Sequence, residues 1–397
     1  MLAPVKVSEV SSSDPKHIDV PHTRVAFAMV GDVTNPGVAS GTPYFALQHA
    51  ARQGWSVRGL RLSTDGRNWA RRRLLWNLRQ KLASGASGGY QYSDEFLDQL
   101  WKLDPPMPGE DIINMFQLYP RRIVERHDGR LFFFVDQTLK QMFETYGLGL
   151  PDKVMHDAIG RERDQYQKAT TVFTQSSYAA RSVVEDYGIA PEKVQAVVCG
   201  ANLDPDVLDA WEAQDHPPHD PGPLRLVFVG KDWQRKGLDR LIAGMEVARS
   251  QGAEIDLRVI GVAREDVPKT LAQVSGIEWI GFVDKRRETG RFVDLLATCD
   301  VGCLLSRAEA GGMSLREFCR LGLVTLAPDV GGSPEYVTHG SGHLVKPDAG
   351  PETIGTILLG LATDKTLLDR QRKIAWSERI QASWDLPIRL IGRRLAE

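Results

Sequence analysis

The chain has little of what most directly marks a compartment or a partner. It contains four cysteines, Cys199, Cys299, Cys303 and Cys319. All lie in apolar surroundings, without the paired short spacings of a zinc site or a disulfide framework. Reduced, packed thiols and no metal site are expected. Nowhere are there the roughly 18 uninterrupted apolar residues that a membrane-spanning helix needs. The opening stretch, MLAPVKVSEVSSSDPKHIDV, has no apolar run of about seven or more and carries Glu9 and Asp14 where a secretory leader is apolar. A cytoplasmic protein with residues 1–22 as a flexible tail is therefore expected. Net charge is also lacking. A formal value of -2 creates no global field to draw nucleic acid, so no nucleic-acid partner is expected and any anionic partner must meet a local patch.

What is present is an ordinary globular composition, 42% hydrophobic and 25% charged, in 397 residues. That length exceeds what one hydrophobic core usually organises, so two domains are expected. From residue 24 the text runs strand (RVAFAMV), turn-rich loop (GDVTNPGVASGT), helix (PYFALQHAARQG, closed by Gly54), strand (WSVRGLRLS). The runs DIINMFQ, LFFFVDQ and ATTVFTQ are further strands, and SSYAARSVVEDYG is a helix capped by Ser176 or Ser177 and ended by Gly188. The Pro-rich stretch AQDHPPHDPGP, ending at Pro223, reads as a linker. The alternation then restarts with LRLVFVG, IDLRVIG, EWIGFV, VGCLL and LVTLAP as strands between helices. Alternating strands and helices predict parallel, doubly wound sheets. The expected domains are 1–203 and 204–375, with a C-terminal helix, 376–397, packing back on the first.

In such sheets ligands bind beyond the carboxyl ends of strands. Two stretches there carry phosphate chemistry. In VFVGKDWQRKG, Gly230 permits backbone approach, and Lys231 and Lys236 gather charge that suits a diphosphate; the plain alternative is a solvated basic turn. In SRAEAGGMSLREFC, Gly311 and Gly312 separate a strand end from a helix start, so backbone N–H groups backed by the helix dipole can hold a phosphate. Glu317 follows about 8 to 9 Å along that helix, roughly a diphosphate-to-ribose distance. Glu309 precedes the glycines and would look towards whatever lies beyond the phosphates.

With these residues in place the sequence resembles the retaining glycosyltransferases of family 4 and their glycogen-synthase-like group 1 relatives. Those enzymes have the GT-B fold, two facing Rossmann-like doubly wound domains with an interdomain cleft. The resemblance is carried by EAGGMSLRE (Glu309, Glu317), the loop Gly230-Lys231-x4-Lys236-Gly237, DVGGSPEYV and EDYGIAPEKVQAVVCGANLD. It implies Glu317 on the nucleotide ribose, Glu309 on donor sugar hydroxyls, and the amides of Gly311, Gly312 and Met313 on the distal phosphate. Lys231 and Lys236 would clamp the diphosphate, Lys231 standing where the family usually has arginine, and backbone near Val283 would meet the base. The first half departs further. Ser40 and Gly41 stand where a Gly-Gly pair is common, with Gly41 still able to admit a ligand, and Asp136 ends a strand where many members have histidine near the reacting carbon.

The implied reaction is transfer of a sugar from a UDP- or GDP-linked donor to a glycan, lipid-linked or small-molecule acceptor, with no cofactor. Lys231, Lys236 and the helix N-terminus would stabilise the leaving diphosphate, and no Asp-x-Asp occurs at a strand end, so metal independence is expected. A sugar-nucleotide-binding protein without activity is the main alternative. An NAD-dependent oxidoreductase fits less well, since GVASGT lacks G-x-G-x-x-G spacing. One segment stands apart. RNWARRRLLWNLRQK, residues 67–81, has six cations and no acid. On a helical wheel Leu74, Leu75, Leu78 and Leu82 share an arc of about 100°, predicting leucines packed inward and Trp69, Trp76 and the arginines outward. That arrangement suits peripheral contact with a lipid surface or an anionic lipid-linked acceptor through residues 67–82, the plain alternatives being a solvated helix or an aromatic packing site.

Overall fold

Short runs rich in β-branched, leucine and aromatic residues, most of them closed by glycine, proline or a polar residue, become the strands of two sheets. A computed structural model describes residues 23–62, 66–100, 106–115, 118–214, 222–285 and 287–397. The tail expected over residues 1–22 and residues 215–221 of the expected linker lie outside the described residues.

The first sheet contains β1 (Val25–Val30), β2 (Val57–Leu62), β3 (Asp111–Asn114), β4 (Leu131–Val135), β5 (Thr171–Thr174) and β6 (Val194–Ala196). Every strand pair is parallel, in the order β2-β1-β3-β4-β5-β6. The order reverses between β1 and β3, so the crevice beyond their carboxyl ends is the topological switch point. β3 and β4 are buried along their whole length, and β4 accordingly reads as an unbroken apolar run rather than an alternating one. Their side chains join a core that includes Tyr119, Phe133, Tyr166 and Tyr187.

The second sheet contains β7 (Leu224–Val229), β8 (Ile255–Ile260), β9 (Ile277–Gly281), β10 (Val301–Cys303), β11 (Val324–Pro328) and β12 (Gly342–Val345). Its order is β12-β11-β10-β7-β8-β9, again all parallel, and its switch point lies between β7 and β10. The strand β12 has no counterpart in the sequence reading. It is four residues long, pairs only at the sheet edge and has little apolar pattern to show. All four cysteines are buried and none is in a disulfide among the described residues, and burial pushes the Cys299 thiol up to about 11.

The chain divides into two compact units, one of residues 1–198 with 384–397, the other of residues 199–383. The sequence reading drew these lines at 203/204 and 375/376. Residues 199–203 join the second unit because the Cys199 carbonyl accepts from Arg316 Nε at 2.9 Å and the Ala201 amide donates to Ala382. Residues 376–383 stay with it through Trp376, packed on Trp211, and Arg379, paired with Glu212 at 3.1 Å. The last helix, Asp385–Ala396, joins the first unit. Asp385 meets His49 at 3.0 Å, the Leu395 carbonyl accepts from Arg130, and Arg394 reaches Thr171 and the Glu192 carbonyl.

One expectation is reversed. In the helix Gly66–Ser84 it is Trp69 and Trp76 that pack on the first core, and the leucines that stand out. The Trp76 indole N–H donates to the Gly88 carbonyl at 2.9 Å and its ring lies 6.0 Å from that of Tyr90. A half-buried indole combines a large apolar area with one directed hydrogen bond, and this outweighs the leucine stripe in setting the rotation of the helix. Among the described residues no helix is long and apolar enough to cross a membrane.

Candidate active site

At the switch point of the second sheet, glycine clears the strand ends. Gly230 follows β7 and donates to the Ile260 carbonyl, while Gly261, after β8, donates to the Gly281 carbonyl at 2.7 Å. A Cβ on Gly261 would come within 2.6 Å of the Gly230 oxygen, so neighbouring strand ends touch backbone to backbone.

The lysine-bearing loop is stitched to the loop after β10. The Leu305 amide donates to the Lys236 carbonyl at 3.2 Å and the Arg307 amide to the Arg235 carbonyl at 2.8 Å. Gly237 has φ +76°, and a Cβ there would lie 2.1 Å from the Leu305 oxygen. That glycine lets the two loops meet, which is the local reason for the Lys-Gly pair in the motif.

Their side chains meet as well. Lys236 Nζ lies 2.5 Å from Glu309 Oε2, with Ser306 Oγ at 3.0 Å and Arg235 at 3.5 Å on the same oxygen. Residues that sequence reading assigned to different parts of a ligand are thus bonded to each other. The backbone of Glu309 is held from the far side by the DVGGSPEYV loop. The Gly332 amide donates to the Ala310 carbonyl at 2.7 Å, and Gly331 approaches so closely that a Cβ would stand 2.1 Å from the Glu309 oxygen.

Gly312 sits at φ +97° as the N-cap of the helix Met313–Arg320, and no side chain caps that end. Gly311 packs under the Tyr336 ring, which a Cβ would strike at 2.3 Å. Glu317, one face along the helix, is fully buried. Lys285 donates to its Oε1, while its Oε2 has no hydrogen-bond partner among the described residues. Burial raises the Glu317 pKa above the ordinary carboxylate value, opposed by the charges of Lys285 and Lys236. Ser314 Oγ, in the first turn, is likewise buried without a partner. Unpaired buried oxygens are costly, and two of them on one helix, Glu317 Oε2 and Ser314 Oγ, are suited to hydroxyl and N–H groups arriving with a ligand.

Of the remaining expected residues, Lys231 is exposed and stands over the Phe282 ring, 4.6 Å from its centroid. The Val283 side chain is buried, which leaves its backbone as the part able to meet a base. Met313 is half-buried at the helix start. Sequence reasoning missed Lys285, Ser306, Ser314 and Phe282. Lys285 lies in GFVDK, the short loop read for base contact, yet nothing in its spacing indicated Glu317 as its partner. Among the described residues no group of three or more His, Cys, Asp or Glu side chains is placed to hold a metal ion.

Gly41 and Asp136 belong to the first unit. Gly41, at φ +90°, begins the helix Thr42–Arg52 in the loop after β1. The residues before it, Ala39 and Ser40, hold φ of +46° and +58°, the left-handed region that glycine tolerates best. Ser40 therefore carries strain where a glycine would not. Asp136 follows β4 in a loop fixed by a capping box, in which Thr138 Oγ1 accepts from the Gln141 amide at 3.2 Å and Gln141 Oε1 from the Thr138 amide at 3.1 Å. The Leu139 amide donates to Glu162, buried behind the loop, at 2.8 Å.

Residues 209–376 match the family described as glycosyl transferases group 1. A D-inositol 3-phosphate glycosyltransferase of Rhodococcus erythropolis is 29% identical over 201 residues, 48% of this chain and 45% of that relative, so the match spans under half of the relative's length. Among solved structures, a sucrose-phosphate synthase of Thermosynechococcus elongatus is similar with TM-score 0.64 and 15% identity, over 94% of this chain and 98% of that one. HepE of Anabaena, in complex with UDP and glucose, is similar with TM-score 0.56 and 16% identity, over 94% and 98% of the two chains. At these identities the structures speak for the fold, and they agree with the GT-B architecture.

Proposed function

Residues 209–376 belong to the glycosyl transferases group 1 family, and from that premise we propose that this chain is a glycosyltransferase acting on a nucleotide-diphosphate sugar. The observation that carries the proposal is Glu317, fully buried at the switch-point crevice with one carboxylate oxygen on Lys285 and the other unpartnered. A ribose hydroxyl supplies the donor that this oxygen lacks.

In this reading Glu317 holds the ribose and backbone at Val283 the base. Gly230, Gly311, Gly312 and Met313 admit the phosphates against the helix N-terminus. Lys231 and Lys236 neutralise the diphosphate, and Glu309 takes the sugar hydroxyls. The acceptor hydroxyl attacks the anomeric carbon as its bond to the diphosphate oxygen breaks, and the leaving phosphate takes the hydroxyl proton. Charge grows on the diphosphate while the sugar becomes cationic, and fixed ammonium groups stabilise the former without a metal. Attack on the face the diphosphate leaves retains configuration. Gly41 and Asp136 serve the acceptor side, a UDP- or GDP-linked sugar is the donor, and a glycan or lipid-linked hydroxyl at the cytoplasmic face of a membrane is the acceptor.

A thermal-shift panel of UDP-, GDP- and ADP-linked sugars, followed by transfer and hydrolysis assays with and without chelator, tests this. Bound donor raises the melting temperature with its affinity. The expected result is a shift with one nucleotide class, with turnover that chelator leaves unchanged. A shift without turnover on any acceptor would reassign the chain as a sugar-nucleotide-binding protein, and no shift at all would overturn the donor site.

A further inference from the structure

The helix Gly66–Ser84 leaves its leucines in solvent. Leu74, Leu75, Leu78 and Leu82 are 69%, 43%, 54% and 81% exposed. At about 100° per residue they share one arc of roughly 100° over two turns. Monomeric proteins do expose single leucines, but four on one helical face form a patch that calls for a partner. The opposite side of the helix is already used, since Trp69 and Trp76 pack on the core and Trp76 is hydrogen-bonded to Gly88. The leucines cannot turn inward without breaking those contacts.

Charge selects the occupant. From Gly66 to Ser84 there are six cations, Arg67, Arg71, Arg72, Arg73, Arg79 and Lys81, and no acid. On the same wheel Arg71 falls within the leucine arc and Arg79 and Lys81 lie at its flanks, all of them exposed. A second copy of the helix would set like charges against each other, and a protein groove would have to bury arginines among leucines. A bilayer surface meets both demands. Leucines enter the acyl boundary while cations reach back to phosphates at headgroup depth. Anionic lipid adds attraction for each basic residue near the surface.

We propose that the helix Gly66–Ser84 docks this chain on an anionic bilayer surface through Leu74, Leu75, Leu78 and Leu82, with Trp69 and Trp76 fixing the helix from within. The proposal does not rest on the transferase reading and is tested without turnover. Full-length chain is sedimented with vesicles of phosphatidylcholine containing phosphatidylglycerol, and with phosphatidylcholine alone. Binding is expected to the anionic vesicles, and to weaken at least about tenfold both in their absence and at about 0.5 M salt. The double variant Leu78→Glu/Leu82→Glu should lose at least about tenfold in binding while its circular-dichroism melting stays as in the parent. Glu309→Ala, altered in the other unit, should bind as the parent does. Failure to bind anionic vesicles, equal binding by the double variant, or a dimer in sedimentation velocity that the double variant dissociates would each overturn it.

Discussion

Lys236 Nζ and Glu309 Oε2 are 2.5 Å apart, with both side chains largely buried. With the donor placed as proposed, this pair would couple its two ends. A diphosphate drawing Lys236 to itself would release Glu309 for sugar hydroxyls, so that phosphate binding and sugar recognition would become one event. Ser306 and Arg235 remain on Glu309 to hold it in place. Removing either member should therefore have unequal effects. Lys236→Ala should lower kcat by about 100-fold or more, because the lost charge acts where negative charge develops. Glu309→Ala should depress turnover far more than nucleotide affinity. Steady-state kinetics with whichever donor the thermal-shift panel selects, beside calorimetric titration of the matching nucleoside diphosphate, separate the two; equal losses in kcat and nucleotide affinity for Glu309→Ala would contradict its placement at the sugar.

Glu317→Ala should act in the opposite sense. Hydrogen bonds to a buried carboxylate are the strong kind, and losing them should weaken nucleoside diphosphate binding by about 10- to 100-fold. The fold should tolerate the change, because Lys285 is one-third exposed and can return to water when its partner goes. Glu317→Gln keeps one acceptor and should fall between parent and alanine variant. Calorimetric titration and a melting curve on the same samples check both halves of the expectation.

Two glycines of similar backbone angle should respond differently to a methyl group. Gly237 and Gly281 have φ of +76° and +71°, but a Cβ on Gly237 meets the Leu305 carbonyl at 2.1 Å while one on Gly281 meets nothing within 4 Å. Gly281→Ala should cost only the left-handed backbone penalty, about 1 to 2 kcal/mol. Gly237→Ala should cost about 2 kcal/mol beyond that, by displacing one loop from the other. Urea unfolding of the two variants gives the comparison directly.

The candidate site of the second unit was legible because its residues are close in sequence and their spacing maps onto a strand, a glycine turn and a helix. Glu309, Gly311, Gly312 and Glu317 sit on one loop and its helix. The lysine loop was legible from composition, though the direct Lys236–Glu309 bond was not, since it depends on how β7 and β10 lie side by side. Lys285 stayed hidden for the same reason, being 32 residues from Glu317 in the chain. The helix Gly66–Ser84 failed differently. It has apolar residues on both sides, and periodicity cannot say which side a core will take when one carries indoles and the other leucines. β12 was too short and too polar to register at all.

The first unit holds a buried acid whose titration should show in stability. Glu162 accepts from the Leu139 amide and from the hydroxyls of Tyr166 and Tyr187, with Asp136 adding negative charge nearby. Burial outweighs these hydrogen bonds and pushes its pKa from 4.5 up to about 7. The folded state then binds a proton more tightly than the unfolded chain does. The resulting stabilisation is fully present below about pH 4.5 and is lost as pH rises through about 7. Glu162→Gln mimics the protonated form and keeps an acceptor for the Leu139 amide, so the difference in unfolding free energy between parent and variant should shift against the parent by about 3 kcal/mol across that window. Urea unfolding at a series of pH values tests this, and a difference that stays flat from pH 4.5 to 7 would show that Glu162 is ionised throughout.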